Sequence, residues 1–534
     1  MQIKSADKIR NRGAEGGRQR LRWFFIGCVF LLCAAAIFIF LKSTPSGVGL
    51  VSDSVNYLNG ARMISEGRGY ARLSGNQSVK PITNFPPLYS IILSGFLLAG
   101  LDAAAAAWWV ALIFYLLNLI TIVILIGSVS DNRWVGLLGG ILFLVSKPFL
   151  YFQVFAMSES VFFFTTLWSF FFLWRGLDRD RAFDWLMSGA FAGWAFLARY
   201  AGAASLGAAL AAILMIAPCQ VRKFRALGQC LLGALPWMAG WLVRNQLVAG
   251  NTMNRAAGVH LLGFDDFQTG VLIFWKWLNP LRYGELTAPV PWMRVGVLLF
   301  AVLAAAYCLA GWILTLRGRE IPDRLRFVWA GLVYCFGYLA LVYLTISFLD
   351  ASVNIEERIL YPLWMVLPLI AIVLSVEIFS KTSAFVRAVP ILIWGIFTVI
   401  FASETAVFVP KFSSLQYGWA WSGWRDSPAM NLIQSLPVET VIYSNQQEAV
   451  SFWTGRGSYA LLDPIDPSSD AERPGYAETQ TEIRRQVLSG EAILVFFQVG
   501  DWLDPAGGEN WVTRLTEGLP VIYQDESEWV IGTQ

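Results

Sequence analysis

After its first long apolar segment the chain reads VSDSVNYLNGARMISEG at residues 51–67. Asp53 is the only acidic residue between Lys42 and Glu66. The residues that follow it form a polar, partly amphipathic segment, which is typical of a helix that lies along a membrane surface. The stretch therefore predicts a carboxylate that is held at a membrane surface at the start of a surface helix.

The composition of the whole chain is that of a membrane protein. Of the 534 residues, 56% are hydrophobic and only 14% are charged, whereas soluble domains carry about 25% charged residues. Apolar runs recur from Trp23 to Val409 and predict a polytopic membrane protein. The first run, Trp23–Leu41, is too long for the core of a signal peptide, so we interpret it as an anchor. The basic N-terminus, residues 1–22, is expected to face the cytoplasm.

The apolar runs predict an α-helical polytopic fold with about eleven spans. They lie near residues 23–41, 103–127, 134–150, 158–174, 183–198, 201–217, 226–248, 293–316, 326–349, 359–379 and 388–408. The segment Pro86–Leu101 either crosses as well or rests at the surface as a short helix in the first outer loop, residues 42–103. The surface position places more Lys and Arg in the cytoplasmic loops, so the positive-inside rule favours it.

The remainder of the chain, residues 410–534, has a different composition. It carries 7 basic and 17 acidic residues, and we expect it to form a small α/β domain outside the cytoplasm. Residues 440–445 and 492–498 are typical of strands, and residues 446–454 and 479–488 are typical of helices. Residues 521–523 and 529–531 predict a hairpin. No glycine-rich phosphate loop is evident, so we assign this domain no chemistry.

Cysteine and histidine usage limits the metal sites that the chain can form. The six cysteines all fall in or beside apolar segments, so the sequence implies no disulfide framework. His260 is the only histidine, which excludes a site built from several histidines. The sequence requires no cofactor, although a divalent ion held by acidic residues stays compatible with it. We expect membrane lipid, and no nucleic acid, among the partners.

Ionisable residues beside membrane segments call for a functional hypothesis, because charge is costly in hydrocarbon. Those that the predicted topology places on the outer side are Asp53, Lys80, Glu159, Arg199, Arg244, His260 and Arg358. Acids with several cations suit group transfer from a phosphate leaving group. A carboxylate accepts the proton of an acceptor hydroxyl, and guanidinium groups stabilise the departing phosphate.

Each of these residues also has a purely structural interpretation. Asp53 could cap the N-terminus of its helix, and Glu159 could be a first-turn acid favoured by the helix dipole. The arginines could be anchors that extend to the membrane interface. His260 could be an ordinary polar residue of a loop.

Several short motifs resemble the polytopic GT-C glycosyltransferases, in particular bacterial relatives of the protein O-mannosyltransferases and aminoarabinose transferases. Asp53 precedes YLNGAR at residues 57–62 and Glu66-Gly67. The other motifs, in family order, are FPPLY at 85–89, MSE at 157–159, LARYAG at 197–202, WLVRN at 241–245 and ERILYP at 357–362. Each is weak alone, but together they form a fairly specific set that runs from about residue 50 to 365.

The resemblance implies that a sugar is transferred from a polyprenyl-phosphate carrier, with inversion, on the outer side of the cell (inner) membrane. It implies catalytic roles for Asp53, as general base or acceptor-site acid, and for Glu159. Donor-phosphate ligands would come from Arg199, Arg244, Arg358 and Lys80. We further expect an acceptor or sugar pocket that includes Tyr57, Tyr89 and His260.

Two departures from the family pattern affect the acceptor and Lys80. Many protein O-mannosyltransferases have Asp-Glu where this chain has Asp53-Ser54, so a protein acceptor is not supported, although glycan, lipid and protein acceptors all stay open. The family's lysine before the first-loop proline is matched by Lys80-Pro81 only if Pro86-Pro87 is not the true counterpart. The rival functions are a secondary transporter or lipid flippase of the cell envelope and a non-catalytic assembly protein that acts through its outer domain.

Overall fold

The structure is a computed structural model that describes residues 2–75, 77–218, 220–252, 259, 261–349, 353–380, 382–415, 422–466, 471–499 and 511–533. The chain is mostly helical up to residue 415. Its elements there are α1 (Gln2–Ser43), α2 (Ser52–Ser65), β1 (Ala71–Leu73), β2 (Val79–Pro81), α3 (Leu88–Leu98), α4 (Ala103–Val129), α5 (Arg133–Leu144), α6 (Lys147–Gln153), α7 (Glu159–Arg179), α8 (Ala182–Ala198), α9 (Ala203–Met215), α10 (Lys223–Ala249), α11 (Phe264–Leu278), α12 (Pro280–Tyr283), α13 (Pro291–Leu316), α14 (Asp323–Phe348), α15 (Glu357–Phe379) and α16 (Ala384–Leu415).

Eight helices of the described part are long and apolar enough to cross a membrane: α1, α4, α7, α10, α13, α14, α15 and α16. Helices α5 and α6 form a further candidate span that is bent by 71°. The two remaining predicted segments, 183–198 and 201–217, coincide with the shorter helices α8 and α9, of 17 and 13 residues. All eleven predicted segments are thus helical, whereas the number that crosses the membrane stays a prediction.

The segment Pro86–Leu101 contains only helix α3, which has 11 residues. At 1.5 Å per residue this helix is about 16 Å long, which is well short of the roughly 30 Å of a bilayer's hydrocarbon core. Its length favours the surface position over a membrane crossing. The first loop also contains α2 and the antiparallel pair of strands β1 and β2.

Helices α8 and α10 pack closely because glycine faces backbone at two points of the contact. A Cβ atom on Gly189 would lie 1.9 Å from the carbonyl oxygen of Cys230, and one on Gly233 would lie 2.2 Å from that of Leu186. Small residues of this kind let the backbones of membrane helices approach each other. The contact fixes the position of α8, which ends immediately before Arg199.

The C-terminal region folds around a mixed sheet, as the sequence predicts. Its elements are α17 (Ser422–Arg425), α18 (Pro428–Ser435), β3 (Val441–Ser444), α19 (Gln447–Thr454), β4 (Tyr459–Ala460), β5 (Ile465–Asp466), β6 (Ala471–Glu472), α20 (Tyr476–Leu488), β7 (Ala492–Phe497), α21 (Trp511–Thr516), β8 (Val521–Gln524) and β9 (Glu528–Ile531). The described strands of the main sheet follow the order β4-β3-β7-β9-β8. Strand β3 is parallel to β4 and β7, and β9 is antiparallel to β7 and β8.

The central strand β7 is buried along its whole length because both faces of the sheet are covered. Ile493, Val495 and Phe497 pack with residues of α18 and α19, while the alternate residues Leu494 and Phe496 pack with α20 and α21. This alternation follows from the two-residue period of a strand. A strand buried on both sides reads as a continuous apolar run, which made it recognisable in the sequence. The predicted boundary at residue 410 stays a prediction, since α16 continues to Leu415.

Candidate functional site

Asp53 lies in the first turn of α2 but does not cap the helix. The N-cap position is Val51, and the hydroxyl of Ser54 accepts a hydrogen bond from the Val51 N–H at 3.1 Å. The capping interpretation of Asp53 is therefore wrong. The Asp53 carboxylate instead forms an ion pair with Arg358, which lies 305 residues further along the chain.

Four of the predicted site residues form one continuous set of ion pairs, which we call the shared-charge cluster: Asp53, Glu159, Arg199 and Arg358. The Nη2 atom of Arg358 donates to Oδ2 of Asp53, and its Nε atom donates to Oε1 of Glu159 at 2.7 Å. The same Oε1 atom accepts from Nη1 of Arg199. Arg358 thus joins the two acids, and Glu159 joins the two arginines.

The cluster forms because the ends of four helices meet. Asp53, Glu159 and Arg358 lie in the first turns of α2, α7 and α15, and Arg199 caps the C-terminal end of α8. Carboxylates are favoured at helix N-termini and cations at C-termini, so both acids and Arg199 suit their positions. Arg358 is the exception, because its positive charge lies at the positive end of the α15 dipole. Its two carboxylate partners offset this repulsion.

Burial differs sharply within the cluster. The side chain of Glu159 is only 2% exposed, whereas those of Asp53, Arg199 and Arg358 are 24%, 18% and 26% exposed. A buried carboxylate is stable only when paired and hydrogen-bonded, and Glu159 has two guanidinium partners. Asp53 and both arginines stay within reach of a ligand, so they are the members that can contact one.

Tyr57 and Tyr89 are both buried, and Tyr57 contacts the residue that precedes Glu159. They are 3% and 0% exposed, and their rings meet edge to face with centroids 5.3 Å apart. The hydroxyl groups of Tyr57 and Ser158 are hydrogen-bonded at 3.0 Å, next to Glu159. Burial and the charge on Asp53 raise the pKa of Tyr57 above its usual value, so its hydroxyl stays protonated. The predicted place of both tyrosines in an acceptor pocket requires correction, because neither ring is accessible.

The remaining predicted residues make other contacts. Arg244 donates to the backbone carbonyls of Ile82 at 2.5 Å and Tyr70 at 2.8 Å, and its guanidinium lies over the ring of Trp241. It therefore holds the first loop, and the structure does not bring it into the cluster. Lys80 lies in β2 with its ammonium 5.9 Å from the ring centre of Tyr459. His260 lies outside the described residues.

Asn118, which was not among the predicted site residues, positions the start of α7. Its Nδ2 atom donates to the carbonyl of Ser160 at 2.9 Å, and the side chain is fully buried within α4. A lone amide in an otherwise apolar helix is a costly residue that requires a polar partner. Asn118 is such a residue within the apolar run of residues 103–127.

A metal ion does not fit this arrangement. No group of three or more His, Cys, Asp and Glu side chains within the described ranges could hold one. The guanidinium of Arg358 occupies the space between the two acids of the cluster. A cation placed there would be repelled by the arginines, so the local charges favour an anion.

Two apolar cavities lie among helices α11, α13, α14 and α15. One has a volume of about 490 Å³, and its wall includes Ile355 and Leu360, which flank Arg358 in the sequence. A second, of about 550 Å³, extends towards α16. The two share Phe274 and Trp277 of α11 in their walls. Together they provide an apolar surface among α11, α13, α14 and α15, and α15 also carries Arg358 in its first turn.

Comparison with known proteins finds a family match for part of the sequence and solved structures of similar fold. Residues 84–243 match the family model for dolichyl-phosphate-mannose-protein mannosyltransferase. No curated protein sequence matches the chain.

The fold is similar to those of solved membrane glycosyltransferases. ArnT from Cupriavidus metallidurans, solved in the apo state and bound to undecaprenyl phosphate, matches with a TM-score of 0.53 and 15% identity, over 95% of this chain and 98% of ArnT. The arabinofuranosyltransferase AftD from Mycobacteria matches with a TM-score of 0.51 and 14% identity, over 96% of this chain and 40% of AftD. The resemblance carried by the sequence motifs is therefore confirmed, and the chain has the fold of the GT-C glycosyltransferases.

Proposed function

We propose that the protein is a glycosyltransferase that moves a sugar from a polyprenyl-phosphate carrier to an acceptor hydroxyl, on the non-cytoplasmic side of the cell (inner) membrane. The observation that carries this proposal is the shared-charge cluster, in which a reachable acid and two reachable arginines meet at the start of α15, a helix that also lines an apolar cavity. A lipid-linked phosphate needs both features at once, cations for its head and an apolar surface for its tail.

The donor would bind with its phosphate at the arginines and its tail in the apolar cavities. Guanidinium groups bind phosphate oxygens in pairs through a planar set of N–H donors. Arg199 and Arg358 are both partly exposed and belong to the same cluster. The undecaprenyl phosphate bound to ArnT, a protein of similar fold, supports this class of donor.

The reaction is a single displacement in which charges and atoms balance. The acceptor oxygen attacks the anomeric carbon, and the bond between that carbon and the phosphate oxygen breaks. Asp53 accepts the proton of the acceptor hydroxyl, and polyprenyl phosphate leaves with the electron pair. Attack opposite the leaving group inverts the anomeric centre. The arginines stabilise the negative charge that grows on the phosphate.

Glu159 acts through the two arginines. It is buried and holds one guanidinium on each side of a single oxygen atom. Fixed donors lower a barrier more than mobile ones because no reorganisation is needed at the moment of reaction. We therefore assign Glu159 as a positioning residue, with Asp53 as the general base.

The rival functions find less support. A secondary transporter is expected to have broken spans in two matching halves, whereas one strongly bent pair, α5 with α6, occurs in the described part. An assembly protein that acts through its C-terminal region would not need a reachable acid paired with a reachable arginine. These features favour group transfer.

The test is consumption of labelled polyprenyl-phosphate sugars by the full-length protein in proteoliposomes, with an envelope extract of the host as the source of acceptor. We expect Asp53→Asn to lower turnover by about 10²- to 10⁴-fold, the usual contribution of a general base. The matched control is Glu66→Gln, an exposed acid just beyond the other end of α2. It should transfer sugar at the wild-type rate.

Equal turnover by the wild type and Asp53→Asn would show that Asp53 is not the general base, but it would not contradict the transferase reaction. The absence of transfer from any donor by the wild type, with the host's carrier lipids represented, would contradict the proposed function itself.

A further inference from the structure

A small polar cavity of about 140 Å³ lies where the first loop meets the C-terminal region. The two regions are joined by specific hydrogen bonds. Nδ2 of Asn59 donates to Oγ of Ser451 at 2.8 Å, and the side chain of Gln77 both donates to and accepts from the backbone of Gly457. These contacts form the cavity from residues that are almost 400 positions apart in the sequence.

The cavity adjoins the acid that we assign as the general base. Asn56, in its wall, lies three residues beyond Asp53 on α2, which is about 4.5 Å along the helix axis. Glu448, also in the wall, lies 3.5 Å from the hydroxyl of Ser52, the neighbour of Asp53. A molecule in the cavity would therefore be next to the start of α2, where Asp53 is partly exposed.

The wall offers the mixture of groups that a sugar requires. Amides, hydroxyls and a carboxylate come from Asn56, Ser451, Ser458 and Glu448, and Tyr459 contributes an aromatic surface. A sugar hydroxyl donates one hydrogen bond and accepts others, so it needs both kinds of partner within reach. A volume of about 140 Å³, equal to about five waters in the liquid, admits a small molecule.

The cavity wall contains more positive than negative side chains. Arg72 donates to the neutral Oδ1 atom of Asn56 at 2.9 Å. The ammonium of Lys80 is exposed and makes no hydrogen bond or ion pair to any residue that the structure describes, and it lies 5.9 Å from the ring centre of Tyr459. Glu448 is the only acid that faces these two cations in the cavity wall. One positive charge is left over, which favours an anionic ligand.

We propose that this cavity binds the acceptor and that the acceptor is a sugar unit carrying a negative charge. The inference rests on the proposed function, because the bound sugar presents its hydroxyl to Asp53. Lys80 pairs with the anionic group of the acceptor, and it has no part in holding the donor phosphate. Donor and acceptor thus occupy opposite sides of the start of α2.

The experiment measures the apparent KM for acceptor and for donor separately, with the full-length protein in proteoliposomes. The donors are labelled polyprenyl-phosphate sugars, and the acceptor source is host envelope extract that is intact, oxidised with periodate or digested with protease. The variants are Lys80→Ala, which removes the unpaired cation, and Ser451→Trp, which fills the cavity. Their controls are Lys411→Ala and Ser435→Trp, at exposed positions away from the cavity.

Lys80→Ala should raise the acceptor KM about tenfold or more, the usual effect of losing a charged hydrogen bond. Its donor KM should stay within about twofold of the wild-type value. Ser451→Trp should raise the acceptor KM further, and the controls should match the wild type. Periodate, which cleaves sugar diols, should abolish transfer, and protease should not.

Two results would overturn the inference while the proposed function stands. One is an unchanged acceptor KM in Lys80→Ala, in an assay where Asp53→Asn is inactive. The other is transfer that survives periodate but not protease, which would identify a peptide acceptor. A wild type that transfers no sugar at all would overturn both proposals together.

Discussion

The two ends of helix α7 carry arginines and carboxylates in different arrangements. At its N-terminal end, Glu159 belongs to the shared-charge cluster, in which acids and arginines have common partners. At its C-terminal end, about 30 Å away for a 21-residue helix, the pairs are separate. They are Arg175 with Asp184, Arg324 with Glu377, and Arg326 with Asp323. We call this second set the separate pairs.

The same helices contribute to both ends, so the difference does not come from the scaffold. Helix α15, for example, carries Arg358 at one end and Glu377 at the other. In a separate pair, a ligand must break the whole ion pair before it gains a cation. In the shared-charge cluster, an anion can replace Asp53 as the partner of Arg358 while Glu159 still holds that guanidinium. Shared partners therefore suit the exchange of a carboxylate for an anionic ligand, and separate pairs suit the stability of the fold.

The largest expected effect comes from removing the shared acid. Glu159→Gln should lower turnover about 100-fold, because neither arginine is then held in place, and should destabilise the protein by about 3 kcal/mol through the loss of a buried charge partner. Asp184→Asn is the matched variant among the separate pairs, since Asp184 is also fully buried. It should lose similar stability in a thermal unfolding assay but keep its activity per folded molecule. A parallel loss of activity in both variants would assign the cluster a structural role alone.

The second effect concerns the bridging geometry of Arg358. A lysine keeps the charge but cannot reach two carboxylates with a fixed, planar set of donors. Arg358→Lys should lower kcat about tenfold, the equivalent of losing about 1.4 kcal/mol of transition-state stabilisation. Arg324→Lys makes the same change in a separate pair and should stay within about twofold of wild type in the same transfer assay. Equal rates in the two lysine variants would argue against the bridge.

The third effect tests ligand exchange without turnover. Polyprenyl phosphate at 100 times its Kd should stabilise the wild type by about 2.7 kcal/mol, measured as a rise in the apparent Tm. Arg199→Gln should reduce this rise because a phosphate ligand is lost. Arg179→Gln, which disrupts an exposed pair with Asp178, should leave the rise unchanged. An undiminished rise in the apparent Tm of Arg199→Gln would show that the phosphate does not bind at Arg199.

The smallest effect is expected at Arg244, which belongs to neither set. Its guanidinium holds two carbonyl groups of the first loop, so Arg244→Lys should cost about 1 kcal/mol in local stability. Faster hydrogen exchange at residues 70–83 would report this loss, with turnover reduced by less than about threefold. A tenfold or greater fall in turnover, with unchanged exchange, would restore the predicted role of Arg244 as a phosphate ligand.

The sequence predicted the helices and strands well because each has a local signal. The apolar run of β7 and the spans of α4 and α13 are visible in hydropathy alone. The site was predicted less completely. Sorting charges by membrane side placed Asp53 and Arg358 on one face, but that method gives no position within the plane of the membrane. It therefore could not separate Arg358 from Arg244, which lies on the same predicted side and makes different contacts.

No local sequence pattern predicted the polar cavity. Asn56 and Asn59 read as the polar face of a surface helix, and Glu448 and Ser451 read as ordinary residues of α19. Their proximity depends on how the C-terminal region packs against the first loop, which is a tertiary contact. For the same reason the burial of Tyr57 was not foreseen, since it follows from its packing against Ser158 of a distant helix.

The hydrogen bond between Asn59 and Ser451 joins residues that are 392 positions apart. Asn59 leaves the ribosome almost 400 residues before Ser451, so helices α4 to α16, which lie between them, are synthesised before this wall of the cavity can form. A polypeptide truncated within α16 would retain Arg199 and Arg358 but would lack α19, whose Glu448 and Ser451 line the proposed acceptor cavity. The order of synthesis thus delays completion of the cavity until α19 has been made and has packed against the first loop.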